Sequence, residues 1–255
     1  MSDPFAPLIE RGLTLHAVLD LATLPVDVRA SLGLNADEPT RYRQLIVLGH
    51  QGRAFWAALQ RRGLHGSDPV DAFVAECVRD WLNGPLAGHA WALLFPGVRH
   101  VGLQRLGELA GWHHAAPFRV GVDAQWGSWF AYRAVLLADT ALPLTPQRAL
   151  PSPCLSCHEQ PCVTACPAAA LDRIPTAGTP QGQGEGFRLL ACMAYRLQPG
   201  SACQDRCLAR NACRVGEAHR YTEAQTAYHY LQSLPAIRVY LRRMTQAVTQ
   251  ATPDG

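Results

Sequence analysis

The stretch Cys154-Leu-Ser-Cys157-His-Glu-Gln-Pro-Cys162-Val-Thr-Ala-Cys166-Pro167 puts four thiols into fourteen residues and closes on a proline. Thiolates are soft ligands that select zinc, copper(I) and iron–sulfur clusters. Four of them in so short a run point to metal or redox chemistry. A second set, Cys192, Cys203, Cys207 and Cys213, follows, so that eight of the nine cysteines lie between positions 154 and 213 and only Cys77 stands apart. Cys77, inside the apolar pattern FVAECVRDW, reads as a small buried hydrophobe.

The first run is close to the bacterial ferredoxin pattern Cys-x2-Cys-x2-Cys-x3-Cys-Pro, with two extra residues in the middle gap. In that pattern the first three thiolates grip three iron corners of one cubane, and the fourth ligates a second cluster. Eight thiols therefore match two [4Fe-4S] clusters. By the crossed logic Cys154, Cys157 and Cys162 join Cys213, while Cys166 joins Cys192, Cys203 and Cys207. Two four-cysteine zinc sites, disulfides, and a single cluster with spare thiols are the competing readings. Zinc ribbons use two separated Cys-x2-Cys pairs where this chain has one, and a reducing compartment disfavours disulfides. His158 reads as a hydrogen-bond donor beside the thiols, which already suffice as ligands. Two clusters, each net −2 with its thiolates, move the formal charge from +3 to about −1. Arg206, Arg210 and Arg214 interleave with Cys207 and Cys213, where they would raise cluster potentials, receive an acidic electron donor, or simply be solvated.

The chain has 255 residues, 48% hydrophobic and 17% charged, enough for one large or two small domains with a proper core. All 23 basic residues are arginine. Without lysine there is no Schiff-base catalysis and no Walker-type phosphate loop. The N-terminal MSDPFAPLIERGL lacks a basic region followed by an apolar run, and no stretch approaches the roughly 18 apolar residues of a membrane span. A cytoplasmic protein without membrane contact is expected. The modest charge, the missing lysines and the absence of a repeat module argue against nucleic acid as a partner.

These chemical residues need elements to position them. Helical periodicity runs through PLIERGLTLHAVLDL, GRAFWAALQRRG, DPVDAFVAECVRDWLNG, with Asp68 as N-cap and Pro69 at the first helical position, and LQRLGELAGW. YRQLIVLG, AWALLFPG, PFRVGVD and SWFAYRAVLLAD read as strands. The expected fold class is α/β (α+β): a central sheet covered by helices over residues 1–150, a small ferredoxin-like two-cluster domain over 151–220, and a C-terminal helical tail over 221–255. PLTPQRALPSP, Pro143 to Pro153, is the connector. TAGTPQGQGEGF, Thr176 to Phe187, reads as a flexible surface insertion, because its glycines follow no strand and lack nucleotide-loop spacing. HRYTEAQTAYHYLQSLPAIRVYLRRMTQAV reads as one helix, or as two broken near Pro235.

The cysteine order and the segments before it resemble the epoxyqueuosine reductase family, which is related to reductive dehalogenases and cobalamin-processing proteins. The resembling parts are LGELAGW (Leu106 to Trp112), GSWFAYRAVLLADTALP (Gly127 to Pro143), the run ending in Cys166-Pro167, RLLACMAYRL around Cys192, and ACQDRC. Together they span about residues 43 to 215. The resemblance implies a corrinoid-binding α/β domain, with cobalamin as a cofactor and Trp126, Gly127, Ser128, Trp129 and Phe130 lining its cavity, beside the two-cluster domain. On residues alone, Trp126, Trp129 and Phe130 read as core aromatics on a strand. The chain departs from the family. The stretch that carries the family's acidic proton donor is here RHVGLQRLGEL, without aspartate, and the last cysteine group runs into CRVGEAHRY. The C-terminal repeats that hold transfer RNA find no counterpart in the 42 residues after Cys213. His113 and His114, directly after Trp112, are the candidate substitutes, as proton donor or lower cobalt ligand; solvent-exposed loop histidines are the plain alternative.

The expected function is that of an iron–sulfur redox protein. It would take electrons from a reduced donor such as ferredoxin or flavodoxin and pass them to a cavity in the α/β domain, as a corrinoid-dependent reductase of a small substrate. The alternative is an electron-transfer or cofactor-handling protein without chemistry of its own.

Overall fold

A computed structural model describes residues 3–35, 37–174, 176 and 186–251. The chain forms two compact units. One comprises Met1–His114, Trp129–Leu150 and Ala218–Arg220; the other comprises Ala115–Ser128, Pro151–Glu217 and Tyr221–Gly255. The chain passes from one unit to the other after His114, Ser128, Leu150, Glu217 and Arg220. The layout departs from the expected succession of 1–150, 151–220 and 221–255, and Ala218–Arg220 return to the first unit. Residues 115–128 belong with the cysteine-rich unit because Ala116, Phe118 and Val122 are buried against its core. The terminal helix belongs there too, with Leu234 and Ile237 buried.

In the first unit the elements run α1 (Ala6–Glu10), β1 (Leu15–Asp20), α2 (Val26–Ser31), α3 (Glu38–Arg41), β2 (Gln44–Gln51), α4 (Ala54–Arg62), α5 (Pro69–Asn83), β3 (Trp91–Phe95), α6 (Leu103–Leu109) and β4 (Phe130–Ala138). The strands form one sheet in the order β1-β2-β4-β3, and every neighbouring pair is antiparallel. The fold is therefore mixed helix and antiparallel sheet rather than a parallel α/β layer. β2 lies second in the sheet and seven of its eight residues are buried, which is why Leu45 to Leu48 read as a continuous apolar run instead of an alternation. α4 packs on β2 and α5 on β4, and Phe55, Leu59, Phe73, Val74, Cys77 and Trp81 of these two helices are buried. Cys77 is 1% exposed and serves as packing, as its apolar surroundings imply. Asp68 occupies the N-cap position of α5 without a side-chain cap bond, and Pro69 opens the helix.

Two local expectations are corrected. The helical reading of PLIERGLTLHAVLDL holds only for its first residues. Gly12 sits at φ 82°, left-handed, and stops α1, after which Leu15 and Ala17 point one way on a strand paired to β2. PFRVGVD is not a strand. Arg119 turns the chain at φ 62°, and Asp123 Oδ1 accepts from the backbone N–H groups of Gln125 (2.7 Å) and Trp126 (3.0 Å), closing an Asx-type turn.

The second unit holds a 3-10 turn (Pro153–Ser156), α7 (Pro161–Thr164), α8 (Leu189–Leu197), α9 (Leu208–Ala212) and α10 (Glu223–Ala251). α7 packs on α9, and α8 on α10. α10 continues through Pro235 as one helix. Residues 177–185 of the glycine- and glutamine-rich segment lie outside the described residues. Among the described residues no helix is long and apolar enough to cross a membrane.

Two outcomes follow from the first unit. In a helix Gly→Ala normally stabilises, but a Cβ at Gly107 of α6 would meet the Tyr132 hydroxyl and ring. Tyr132 is held by His113 at 3.2 Å and stacks on Trp112. Gly107→Ala should therefore lower stability by about 1–3 kcal/mol, read by chemical denaturation. The second concerns His16 of β1, which stacks on Phe5 at 3.9 Å between centroids and leaves Nδ1 buried without a hydrogen bond. Burial holds its imidazole below the ordinary value, against a smaller upward pull from Asp3. A depressed folded pKa means that stability is present above the unfolded value of about 6.5 and is lost as pH falls through it. The melting temperature should fall between about pH 7 and 5, and His16→Phe should flatten part of that slope.

Candidate metal centres

All nine thiols are free of disulfides. Eight of them sort into two rings within the second unit. Cys154, Cys157, Cys162 and Cys213 line a cavity of about 320 Å³. Cys166, Cys192, Cys203 and Cys207 line another of about 280 Å³. Among the described residues no three His, Cys, Asp or Glu side chains converge closely enough to hold a single ion. The thiols surround a volume instead of a point.

Local structure explains how neighbours in sequence reach different rings. Ser152 Oγ accepts from the Cys154 N–H, and the Cys157 N–H bonds back to the Cys154 carbonyl, so the 3-10 turn presents both thiols on one side. Gln160, left-handed at φ 43°, clamps the loop by two side-chain bonds to the backbone of Ile174, at 2.7 and 3.0 Å. It then starts α7. Cys162 and Cys166 are four apart, a spacing that would align them on one helix face. α7 ends at Thr164, however, and the chain turns through Ala169 at φ 45°, so the two thiols diverge to different cavities. α9 does the same for its flanks. Cys207 is its N-cap, with Sγ accepting from the Arg210 N–H at 3.4 Å, and Cys213 is its C-cap.

The walls are apolar. Phe118 lines both cavities, and Phe118, Val122, Leu171 and Ala209 form one core cluster with the thiols packed against it. Burial pushes Cys154 up to about 12, helped by Cys213, Cys162 and Cys157, and pushes Cys162 up to about 11, helped by Cys213 and Cys157. In the other ring burial raises Cys192 to about 11, with Cys207, Cys166 and Cys203 adding to it while Arg196 opposes. Thiols that resist ionisation because they are buried and crowded are those that a multivalent cation would convert to thiolates. The donor sets fit a polynuclear metal group in each ring.

The other candidate residues lie elsewhere. His113 is buried four residues beyond the end of α6, its Nδ1 3.2 Å from the Tyr132 hydroxyl, and burial lowers its pKa. His114 is partly exposed with Nε2 enclosed and unbonded. The 126–130 segment crosses from one unit to the other: Trp126, Gly127 and Ser128 belong to the cysteine unit, Trp129 and Phe130 to the sheet. Trp126 is 8%, Ser128 0%, Trp129 0% and Phe130 6% exposed. Gly127, at φ 60°, lies directly against the Val215 carbonyl, and Gly216 against Trp126. These residues are packing partners, and neither cysteine-lined cavity includes them. As they stand they do not fit a corrinoid. Sequence reasoning missed Phe118, which hid inside an apparent strand, and the burial of Arg210; an arginine three residues after a cysteine carries no signal of its own burial.

No family model matches this chain, and no curated protein does. Several solved structures resemble it. The Streptococcus thermophilus epoxyqueuosine reductase aligns at 12% identity over 82% of this chain, with a TM-score of 0.46, and the Bacillus subtilis enzyme at 11% over 87%, with 0.48. This chain spans 64% of the Streptococcus protein and 68% of the Bacillus one. The crystal structure of an epoxyqueuosine reductase with an epoxyqueuosine-modified tRNA-Tyr stem loop aligns at 14% identity over 88% of this chain and 67% of that one, with a TM-score of 0.54. At these identities the likeness is one of fold: the chain has the fold found in epoxyqueuosine reductase.

Proposed function

We propose that this chain is a cytoplasmic iron–sulfur electron-transfer protein with two [4Fe-4S] clusters in a ferredoxin-like arrangement. One is held by Cys154, Cys157, Cys162 and Cys213, the other by Cys166, Cys192, Cys203 and Cys207. The observation that carries the reading is the exchange of one thiol between the two sequence sets, so that each ring draws on distant parts of the chain. Each cluster supplies a one-electron couple of low potential. The residues of the chain supply the rest. Phe118, Leu171 and Ile174 keep the walls apolar, Gln160 fixes the loop that carries the first thiols, and α7 and α9 aim neighbouring thiols apart. The electron source is a reduced ferredoxin or flavodoxin, and the acceptor is a partner or small molecule reduced stepwise. The reading contains no corrinoid step, because the 126–130 segment is filled by protein.

Purified anaerobically, the protein should carry about eight irons per chain and a broad visible absorption that dithionite bleaches. Cys213→Ser should damage the cluster of Cys154, Cys157 and Cys162, and Cys166→Ser the other, each read by iron content and electron paramagnetic resonance. The reverse pattern, or zinc in place of iron, defeats the assignment. Incubated with cobalamin and desalted, the protein should retain no cobalt. The solved neighbour that carries a tRNA stem loop brings RNA forward as a second partner class. A formal charge of +3, falling to about −1 with two clusters, offers little for phosphate to bind. A tRNA stem loop should show no mobility shift at about 0.15 M salt.

A further inference from the structure

α8 and α10 pack on each other beside the ring of Cys166, Cys192, Cys203 and Cys207. Arg196 of α8 and Tyr230, Ser233 and Ile237 of α10 belong to the wall of that cavity, and Arg196 donates to the Tyr230 carbonyl at 3.0 Å and to Ser233 Oγ at 2.9 Å. The next residue of α8, Leu197, lines an open groove of about 530 Å³ together with Arg238, Leu241, Arg242 and Gln246 of α10. Arg196 and Leu197 are consecutive, and so are Ile237 and Arg238. The groove and the thiol cavity therefore lie against adjoining residues of the same two helices.

The outward stripe of α10 is both apolar and cationic. Leu231 is 47% and Val239 42% exposed, and Arg238, Arg242 and Arg243 are exposed beside them. Arg238 and Arg242 are four apart and share one face, with Arg242 Nε donating to the Arg238 carbonyl at 3.3 Å. After Glu223 the helix carries these three arginines and no acidic residue, and α8 carries none either. Arginine among apolar side chains, without lysine or carboxylate, is the composition of a contact surface. The wall of the other ring offers no such field, because Arg214 and Glu159 oppose each other there at 3.6 Å. Steering by net charge is unavailable as well: the formal +3 falls to about −1 with two clusters, so attraction of an anionic protein has to be local.

We infer that this α8–α10 face docks an acidic one-electron carrier protein and passes its electron into the ring of Cys166, Cys192, Cys203 and Cys207. The inference rests on the two-cluster reading and adds where the donor binds. With a flavodoxin as carrier, the anionic flavin hydroquinone gives up one electron and becomes the neutral semiquinone, and the cluster gains that electron; no bond breaks and no proton moves. Electron-transfer encounters sit at the small end of interface size, and charges at their rim act on the rate of association more than on the lifetime of the complex.

The test is stopped-flow mixing of the anaerobic holo-protein with reduced flavodoxin, following semiquinone formation. The second-order rate constant should fall steeply as salt rises from about 0.05 to 0.5 M. Arg238→Glu with Arg242→Glu should lower the low-salt rate by about tenfold or more and flatten the salt dependence, with iron content and reduction by photoreduced deazaflavin unchanged. Arg238→Gln with Arg242→Gln should lower it less. Arg29→Glu with Arg61→Glu, which makes the same change in net charge on exposed residues of the first unit, should leave it within about twofold. Cys166→Ser should slow reduction by the carrier several-fold. An α10 pair that reacts like wild type, a control pair that slows equally, or a Cys166→Ser protein reduced at the wild-type rate overturns the inference alone. So does a tRNA stem loop or a second copy of this chain that binds wild type and is lost in the α10 pair, since either gives the face a different occupant. A wild type well short of eight irons overturns the two-cluster reading, and this inference with it.

Discussion

Four thiols buried in an apolar wall cannot all become thiolates by themselves: each negative charge is denied water and repelled by the next. Burial, and after it the neighbouring thiols, push Cys154, Cys162 and Cys192 well above the ordinary thiol value. Only a cationic core among them relieves both penalties together, since it supplies attraction where solvent is excluded. Those thiols lie in the second unit. Its core residues, Phe118, Val122, Leu171 and Ala209, pack the thiols instead of packing a purely hydrocarbon interior.

The helices near the thiols are short. α7 has four residues and α9 five. A longer α7 would carry Cys162 and Cys166 on one stripe and merge their destinations. Ending it at Thr164 and turning at Ala169 spends regular hydrogen bonding to separate two thiols by one wall. The stability that short helices lack comes from their packing on each other and from the long helix α10 against α8. In the first unit the burden is ordinary: a central strand buried on nearly all its length, covered by α4 and α5.

Much of this was readable because the chemistry is local in sequence. The spacing of the first run and the count of eight thiols implied two sites that exchange a ligand, and the structure gathers the same two groups of four around separate cavities. Long periodic segments such as α5 were legible as well, since fifteen residues of amphipathic pattern outweigh local noise. The losses have physical causes. β1 hides behind Gly12, where one left-handed residue changes the period from helix to strand. PFRVGVD has the residues of a strand but forms only isolated bridge pairing at its end, and its Asp123 turn and the thiol core claim it instead. The aromatic segment 126–130 resembles a cofactor wall in type and order. What decides its role is Val215, 88 residues after Gly127, whose carbonyl fills the space over that glycine; no single-sequence pattern reports such an approach.

A chain whose basic residues are all arginine has one further consequence for the second ring. Guanidinium is planar, always charged, and can stack while it donates in its own plane. Arg210 uses this against Tyr221 and Ser128, and Arg196 against Tyr230 and the Cys203 carbonyl, with ring distances of 5.1 and 4.9 Å. A lysine in either place would bring one flexible ammonium that burial can neutralise. Arg210 is buried, whereas salt damps exposed pairs beyond about 8–10 Å. Arg214 and Glu159 beside the first ring stand in solvent and cancel each other across 3.6 Å. The arginines on the two walls thus differ in exposure: Arg196 is half-buried beside one cavity, and Arg214 stands in solvent beside the other.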